Sequence, residues 1–363
     1  MDFNRLSFYD WRNLAEKKLG EEKFAYLTSG AGYGSSVEHN YMTFERWKFL
    51  PRVLKNNLEA DISYSIFGKR VAAPVMLGPV RGLKYFHPEG ELAVARAAKK
   101  LNIPFVMSNF ASATIEEIGK EMGDVPHFLQ LYHCNDEEIL DSIINRAEKA
   151  EYSGLFITVD MASHPVQYKG PKTSEYEKFG HDIYFSDPVF RSKLKRSPEE
   201  DKEGALELWR KVRGTKVSWE YVDKIKKKSR LPVIVKGILN PADIEECIKI
   251  GADGIVISNH GGRSLDSAVS PLEVLPDISS KFKDKILLFI DSGFRSGMDV
   301  IKAIALGAEC VLLGRSYVYS LAAGGGEGII AYMNNMVKEM INTVQSLGYT
   351  KISQVGRDSL IES

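Results

Sequence analysis

The sequence predicts an α/β protein in which eight parallel strands, each followed by a helix, close into a barrel. Three observations support this fold class: eight short apolar runs, helical patterns between them, and polar residues directly after the runs. The runs lie at 73–79, 103–109, 127–132, 154–160, 231–237, 254–262, 286–293 and 310–315. Continuous apolar runs are typical of parallel strands that are buried on both faces. Eight of them predict a (β/α)8 TIM barrel.

Segments with helical periodicity separate these runs. Clear examples lie at 89–101, 135–150, 240–252 and 297–308. Two of them end in Gly-Ala just before the next strand, as expected for a glycine beyond a helix C-terminus. A doubly wound open sheet is the alternative fold. It is disfavoured because no GxGxxG motif follows the first strand and polar residues follow most strands, not one switch point.

We predict a single domain that spans residues 1–363. Two of its regions do not follow the strand–helix repeat. Residues 1–60 precede the barrel, which we place at about 70–346, and include an N-terminal helical stretch. The connection after strand four is far longer than usual. Within this connection, which holds the predicted loop at about 166–215, the stretch 166–205 is rich in Lys, Glu, Ser, Pro and Tyr. This composition predicts a lid-like loop over the strand ends.

Composition argues against several functional classes. Lys plus Arg equals Asp plus Glu at 48 each, so nucleic-acid binding is not expected. Cys134, Cys247 and Cys310 have no CxxC spacing, which disfavours a disulfide framework or a zinc site. The sequence shows neither a signal peptide nor an apolar run long enough to span a membrane. We therefore expect a cytoplasmic protein with no membrane anchor.

The strongest chemical signal is SNHGGR at 258–263. His260 suits proton abstraction, because histidine is the side chain most often used as a general base. Arg263 can hold a carboxylate through two parallel hydrogen bonds. Since active sites of such barrels lie at the C-terminal strand ends, this run predicts the catalytic base.

Basic residues and glycines also follow later strands. DSGFRSG (291–297) and LLGR (312–315) predict a phosphate site formed by the loops after strands seven and eight. Lys236, at the end of the buried run VIVKG, requires an anionic partner, with a Schiff-base role as the alternative.

Together these motifs resemble the FMN-dependent α-hydroxy-acid oxidase and dehydrogenase family, which includes glycolate oxidase. The likeness runs nearly end to end, and DSGFRSG, YFSDPVF, VSWEYVDKI and FERWKFLPRVL look closest to lactate 2-monooxygenase. The resemblance implies FMN as cofactor and hydride transfer from a lactate-like 2-hydroxy acid to flavin N5, leaving a keto acid. It further implies oxygen or another electron acceptor, oxidative decarboxylation as an option, and a homotetramer or homo-octamer. A non-redox isomerase similar to type 2 isopentenyl-diphosphate isomerase and a flavin-binding protein with little catalysis are the alternatives.

The resemblance also assigns roles by position. His260 would take the hydroxyl proton, Asp160 would orient it, and Tyr132 would reach the substrate oxygen. Tyr26 and Arg263 would hold the substrate carboxylate. The residues implied at the flavin are Pro79, Val80, Arg81, Ser108, Gln130, Thr158, Lys236 and Ser258, and those at the ribityl phosphate are Asp291, Gly293, Arg295, Gly314 and Arg315.

Two positions depart from the family pattern. Gln167 stands where relatives carry a second carboxylate-binding arginine, and Arg81 replaces a small residue beside flavin N5. A neutral amide cannot make a charge-assisted bidentate contact, and its loss costs about 2–3 kcal/mol of binding. We hypothesise that Arg81 partly replaces the missing cation, with Lys169 as a second candidate. The alternatives are that Arg81 blocks N5 or that the site takes a different substrate.

Overall fold

The structure is a computed structural model that describes residues 3–55, 59–161, 163, 165–214 and 216–363. Eight parallel strands form a closed barrel, in which the last strand pairs with the first. They are β1 (Val75–Leu77), β2 (Phe105–Ser108), β3 (His127–Leu131), β4 (Leu155–Thr158), β5 (Val233–Ile238), β6 (Gly254–Ile257), β7 (Leu287–Ile290) and β8 (Cys310–Leu313). Each predicted apolar run matches one of these strands, and only β5 extends one residue beyond its run. The predicted TIM barrel is confirmed, and the open sheet is excluded.

A helix returns the chain after each barrel strand. These are α1 (Gly90–Leu101), α2 (Ile115–Met122), α3 (Glu137–Lys149), α4 (Trp219–Lys228), α5 (Pro241–Lys249), α6 (Pro271–Phe282), α7 (Gly297–Ala305) and α8 (Arg315–Ser346). Their starts follow local rules: Thr114 forms a capping box with Glu117, and Asn240 caps a helix that opens with proline. The helices cover the outer face of the barrel, so both faces of each strand are buried.

The barrel interior has an apolar layer below a polar one. Side chains two residues apart on a strand point to the same side of the sheet. Each apolar residue that points into the barrel is therefore paired with the residue two positions later, which also points inward but lies nearer the carboxyl end of the strand. The pairs are Met76 and Gly78, Val106 and Ser108, Phe128 and Gln130, Phe156 and Thr158, Ile234 and Lys236, Val256 and Ser258, Phe289 and Asp291, and Leu312 and Gly314. The apolar members fill the barrel and leave the polar ones facing its open end.

Additional elements close the barrel ends. The N-terminal helix Phe8–Thr28, broken at Gly20 (φ 73°), and the helix Ser35–Met42 lie beside the carboxyl end. The hairpin Tyr64–Ile66 and Lys69–Val71 packs on the inner apolar layer through Ile66 and Val71. A third short pair joins Trp47–Phe49 to Leu360–Glu362. None of the helices in the described part of the chain combines the length and apolarity needed to cross a membrane.

The segment between β4 and α4 is the long connection predicted after strand four, and about half of it is helical. Its second half consists of the helices Asp182–Phe185, Pro188–Ser192 and Lys202–Val212. The last of these buries Ala205, Trp209 and Val212, spaced at i, i+4 and i+7 on one helix face. Because that apolar face packs on the barrel, the second half of the segment is a folded part of the domain. We refer to residues 165–214 as the lid segment.

A buried carboxyl group shapes the loops at the mouth of the barrel. Glu91 Oε1 accepts hydrogen bonds of 2.9 Å from the backbone N–H groups of Leu83 and Ser112. Burial nevertheless raises the pKa of Glu91 from 4.5 to about 7. The folded protein therefore binds a proton that the unfolded chain has released, and its stability falls as pH rises from about 4.5 to about 7.

We expect Glu91→Gln to remove most of this pH dependence. At pH 8 the variant should be more stable than the wild type by about 2–3 kcal/mol, because a neutral side chain carries no cost of burying a charge. At pH 5, where Glu91 is protonated in the fold, the two proteins should unfold at similar temperatures. Thermal unfolding at both pH values measures the effect, and an equal shift at both would contradict it.

Candidate active site

A cavity of about 420 Å³ opens at the carboxyl end of the barrel. Residues at or just beyond the end of every barrel strand line it, together with parts of the N-terminal helix and the lid segment. All predicted site residues line this cavity except Asp160, Ser258 and Arg295. Asp160 and Ser258 lie directly behind lining residues, to which they are hydrogen-bonded. The structure thus brings nearly the whole predicted set together.

His260 sits on a tight turn after β6 and has a left-handed backbone (φ 58°). Its Nδ1 lies 2.8 Å from Asp160 Oδ1, and its Nε2 lies 3.3 Å from the hydroxyl oxygen of Tyr132. Since a carboxylate accepts a hydrogen bond from Nδ1–H, Nε2 is the nitrogen available to accept a proton. This arrangement can perform general-base chemistry in the cavity.

Asp160 is ionised in this environment. Burial alone would raise its pKa, but the hydrogen bond and charge of His260, with the charge of Lys236, hold the pKa below its ordinary value. The carboxylate lies close to the β5 backbone, where a Cβ on Gly237 (φ 110°) would come within 2.6 Å of Asp160 Cβ. Glycine is therefore required at this position, because any side chain would displace the residue that orients His260.

A polar layer crosses the floor of the cavity. Ser108 Oγ donates to Gln130 Oε1 over 3.0 Å, and Gln130 Nε2 donates to Thr158 Oγ1 over 2.9 Å. These residues end three neighbouring strands. Their hydroxyl and amide groups form a flat row of donors and acceptors, which fits the edge of a heteroaromatic ring such as a flavin.

Lys236 continues this layer as a buried cation. Its Nζ lies 2.8 Å from Asp291 Oδ2 and donates to Ser258 Oγ over 3.0 Å. Burial would lower the pKa of Lys236, but the carboxylates of Asp291 and Asp160 raise it above its ordinary value. Because a Schiff base forms from a neutral amine, this charged state disfavours the Schiff-base alternative.

The start of α8 fits a phosphate group. Gly314 is the N-cap residue, and among the described residues no side chain caps the helix. A Cβ on Gly314 would meet no described atom within 4 Å, so open space adjoins the free backbone N–H groups. The buried side chain of Ser316 also lines the cavity at this helix start. Such a helix start binds anions through its N–H groups and dipole.

The two arginines predicted to bind this phosphate are arranged differently from the prediction. Arg315 lines the cavity, but its guanidinium donates to the backbone carbonyls of Leu27, Gly261 and Ser29, at 2.8, 2.7 and 2.8 Å. It therefore ties the N-terminal helix to the catalytic turn. Arg295 lies outside the cavity, because the carboxylate of Asp299 holds it at 3.1 Å on the far side of the loop. The phosphate contact from the Arg295 side chain stays a prediction, and the structure does not bring this side chain into the cavity.

The two residues predicted to bind the substrate carboxylate both line the cavity. Arg263 Nη1 donates to the carbonyls of Tyr26 and Ser29 over 3.0 and 2.9 Å. The Arg263 guanidinium also lies 5.1 Å from the centre of the Tyr26 ring. Both side chains face the cavity, so a cation and a phenol hydroxyl are available for one carboxylate.

The departures from the family pattern have distinct locations. Gln167 lines the cavity and pairs with Gly32 through an isolated β-bridge. Lys169 is exposed and does not line the cavity, so it is not the substitute cation. Arg81 lines the cavity but turns towards the lid segment, where its Nη2 donates to the carbonyl of Phe179 over 3.3 Å.

Sequence reasoning missed the cavity wall formed by the lid segment. Arg213, at the end of the helix Lys202–Val212, lines the cavity, as do Tyr176 and Glu177. Its guanidinium lies 5.4 Å from the centre of the Trp209 ring, which is four residues earlier in the chain. The spacing of Trp209 and Arg213 on one helix face was the available signal.

Comparison with known proteins establishes the family. A family model described as FMN-dependent dehydrogenase matches residues 15–362. The chain belongs to this family. L-lactate oxidase of Lysinibacillus sphaericus is 34% identical, covering 99% of this chain and 93% of that protein. Human 2-hydroxyacid oxidase 1 is also 34% identical, covering 88% of this chain and 86% of that protein.

Solved structures agree with this assignment. A soluble mutant of the membrane-associated (S)-mandelate dehydrogenase from Pseudomonas putida superimposes with a TM-score of 0.86, at 32% identity, covering 99% of this chain and 100% of that chain. This FMN-dependent dehydrogenase is thus an α-hydroxy-acid oxidoreductase with FMN as its cofactor. The polar layer, Lys236 and the uncapped start of α8 fit that cofactor.

Proposed function

We propose that this FMN-dependent dehydrogenase oxidises a 2-hydroxy acid with a lactate-like head group to the 2-keto acid, with His260 as the base. The observation that carries the proposal is the 2.8 Å hydrogen bond between His260 and Asp160, which leaves Nε2 facing the cavity. FMN, when bound, supplies the acceptor for the substrate's α-hydrogen and its electron pair.

The protein's own groups account for the proton and the charges. His260 Nε2 accepts the hydroxyl proton, and the ionised Asp160 stabilises the imidazolium that forms. Burial and the charge of Asp160 raise the pKa of Tyr132, so its hydroxyl stays protonated and donates to the substrate oxygen. Arg263 and Tyr26 hold the carboxylate. The substrate loses one proton and one hydride, and its C–O bond becomes a carbonyl.

Gln167 leaves the head-group carboxylate with one arginine, Arg263. The direction of the Arg81 guanidinium, towards Phe179 and the lid segment, argues against Arg81 as a direct replacement for the missing cation. The same direction of the guanidinium argues against the alternative that Arg81 blocks access to flavin N5. These contacts favour the third alternative, a substrate that differs from lactate in its side chain.

The fate of the keto acid completes the proposal. If it leaves before oxygen reacts, the products are keto acid and hydrogen peroxide. If it stays, oxygen yields the acid one carbon shorter, carbon dioxide and water, as in the lactate 2-monooxygenases that the motifs resemble. The isomerase alternative is not favoured, because the matched relatives are named as hydroxy-acid oxidoreductases. The homotetramer or homo-octamer and the cytoplasmic location stay predictions.

Anaerobic mixing tests the proposal. Lactate, glycolate, mandelate and longer 2-hydroxy acids are mixed with the FMN-loaded protein, and bleaching of the flavin absorbance is followed. We expect reduction by at least one of them and no turnover of an isoprenoid diphosphate. Product analysis in air then distinguishes peroxide release from decarboxylation. A folded, FMN-loaded protein that no member of the panel reduces would disprove the proposed activity.

A further inference from the structure

Two arginines lie together on the lid side of the cavity. Arg81 comes from the loop after β1 and Arg213 from the lid segment, and both line the cavity. Each guanidinium lies 5.4 Å from the centre of the Phe110 ring and 5.4 Å from the centre of the Trp209 ring. Since they share two aromatic rings, we call these two residues the arginine pair.

Arg81 places a buried cation on this wall, and the guanidinium of Arg213 lies close to it. Burial, with the nearby charge of Arg213, lowers the pKa of Arg81. The Arg81 Nε atom is buried without a hydrogen-bond partner in the described part of the chain. Glu177 lines the same wall, but among the described residues no carboxylate oxygen lies within 4.0 Å of the Arg81 guanidinium. A buried donor on a cation is costly unless an anion or another acceptor reaches it.

The arginine pair is separate from the groups that bind the head of the substrate. Phe110 stacks on Tyr132 with ring centres 5.0 Å apart, and Tyr132 contacts His260. On the other side, Tyr176 lies between Arg81 and Tyr26, the residue against which Arg263 packs. Aromatic rings therefore lie between the arginine pair and both His260 and Arg263. The arginine pair and the head-group residues can therefore contact the two ends of one elongated substrate.

We propose that the arginine pair binds a carboxylate at the far end of the substrate's side chain, so that the preferred substrate is a 2-hydroxy dicarboxylic acid. This inference rests on the proposed function, because Arg263 and His260 must hold the other end. The faces of Phe110 and Tyr176 would line the methylene groups between the two acids. A substrate with a hydrocarbon side chain would also fit against these rings, but it would leave Arg81 Nε without a hydrogen-bond acceptor.

The test compares 2-hydroxyglutarate with its side-chain amide, which has nearly the same shape and lacks the second charge. The measured quantity is the rate constant of anaerobic flavin reduction divided by the substrate dissociation constant. For the FMN-loaded protein, we expect this value to be at least about 10-fold higher for the diacid than for the amide. Arg81→Gln and Arg213→Gln should each lower this value for the diacid by about 10–100-fold, as expected for loss of a charge-assisted hydrogen bond. The value for the amide should change less than about 3-fold.

Arg210→Gln is the matched control. Arg210 is on the same lid helix, pairs with Glu203 on the surface, and does not line the cavity. Thermal unfolding and FMN content show whether each variant is folded. Calorimetric titration with the keto acid 2-oxoglutarate measures binding without turnover. The affinity for 2-oxoglutarate should fall in both arginine variants and stay unchanged in Arg210→Gln.

Equal use of the diacid and the amide, or an unchanged diacid preference in folded Arg81→Gln, would overturn the inference. Reduction by lactate with no preference for a diacid would overturn it while leaving the proposed function intact. If no 2-hydroxy acid reduces the flavin, the proposed function itself fails, and the substrate assignment fails with it.

Discussion

His260→Ala is expected to slow anaerobic flavin reduction about 10⁴-fold, the upper range for loss of a positioned general base. No other described side chain pairs a free imidazole nitrogen facing the cavity with a buried carboxylate behind it. FMN binding should persist, because the polar layer and the start of α8 do not depend on the imidazole. Stopped-flow reduction with the best substrate of the panel measures the effect. A variant that keeps a tenth or more of the wild-type rate would exclude His260 as the base.

Asp160→Asn is the matched variant for this prediction. The amide keeps the size of the side chain but cannot stabilise the imidazolium by charge, so we expect a loss of about 10²-fold. Because the two residues act as one unit, the double variant should be no slower than His260→Ala alone. Additive losses would instead show that Asp160 acts independently of His260.

Lys236→Met is expected to have the second-largest effect, on both stability and cofactor retention. It leaves Asp291 as an unpaired carboxylate in a nearly buried site, and breaking a buried pair in this way costs about 3–5 kcal/mol. For a chain of this size, the melting temperature should fall by roughly 5 °C. The variant should also release FMN more readily, because Lys236 carries the positive charge of the polar layer.

The double variant Lys236→Met with Asp291→Asn separates these two effects. Removing the unpaired charge should restore part of the melting temperature, because no buried charge then lacks a partner. FMN affinity should stay weak, since both charged residues of the cavity floor are absent. Thermal unfolding and fluorescence titration with FMN measure the two quantities. Wild-type FMN affinity in the double variant would show that Lys236 serves only the fold.

Much of the site was predictable because it is part of the repeating pattern of the barrel. Apolar strand residues are followed at the carboxyl end by a polar or small residue on the same side, so reading the strands also located Lys236. Ser108 and Gln130 were assigned from the family resemblance. The pairing of His260 with Asp160 came from family resemblance, since these residues are 100 positions apart. The orientation of arginine side chains could not be predicted. Arg295 turns to Asp299 and Arg315 to three carbonyls, and such choices depend on neighbours that only the folded chain supplies.

The sequence by itself determined the barrel, because buried parallel strands are local patterns. It also predicted His260 as the base, because a histidine directly follows one of these strands. Only the tertiary structure decided the lid side of the cavity, where Arg81 and Arg213, far apart in the chain, face the same two aromatic rings. Long-range packing sets that arrangement, since the helix carrying Trp209 docks on the barrel through its own apolar face.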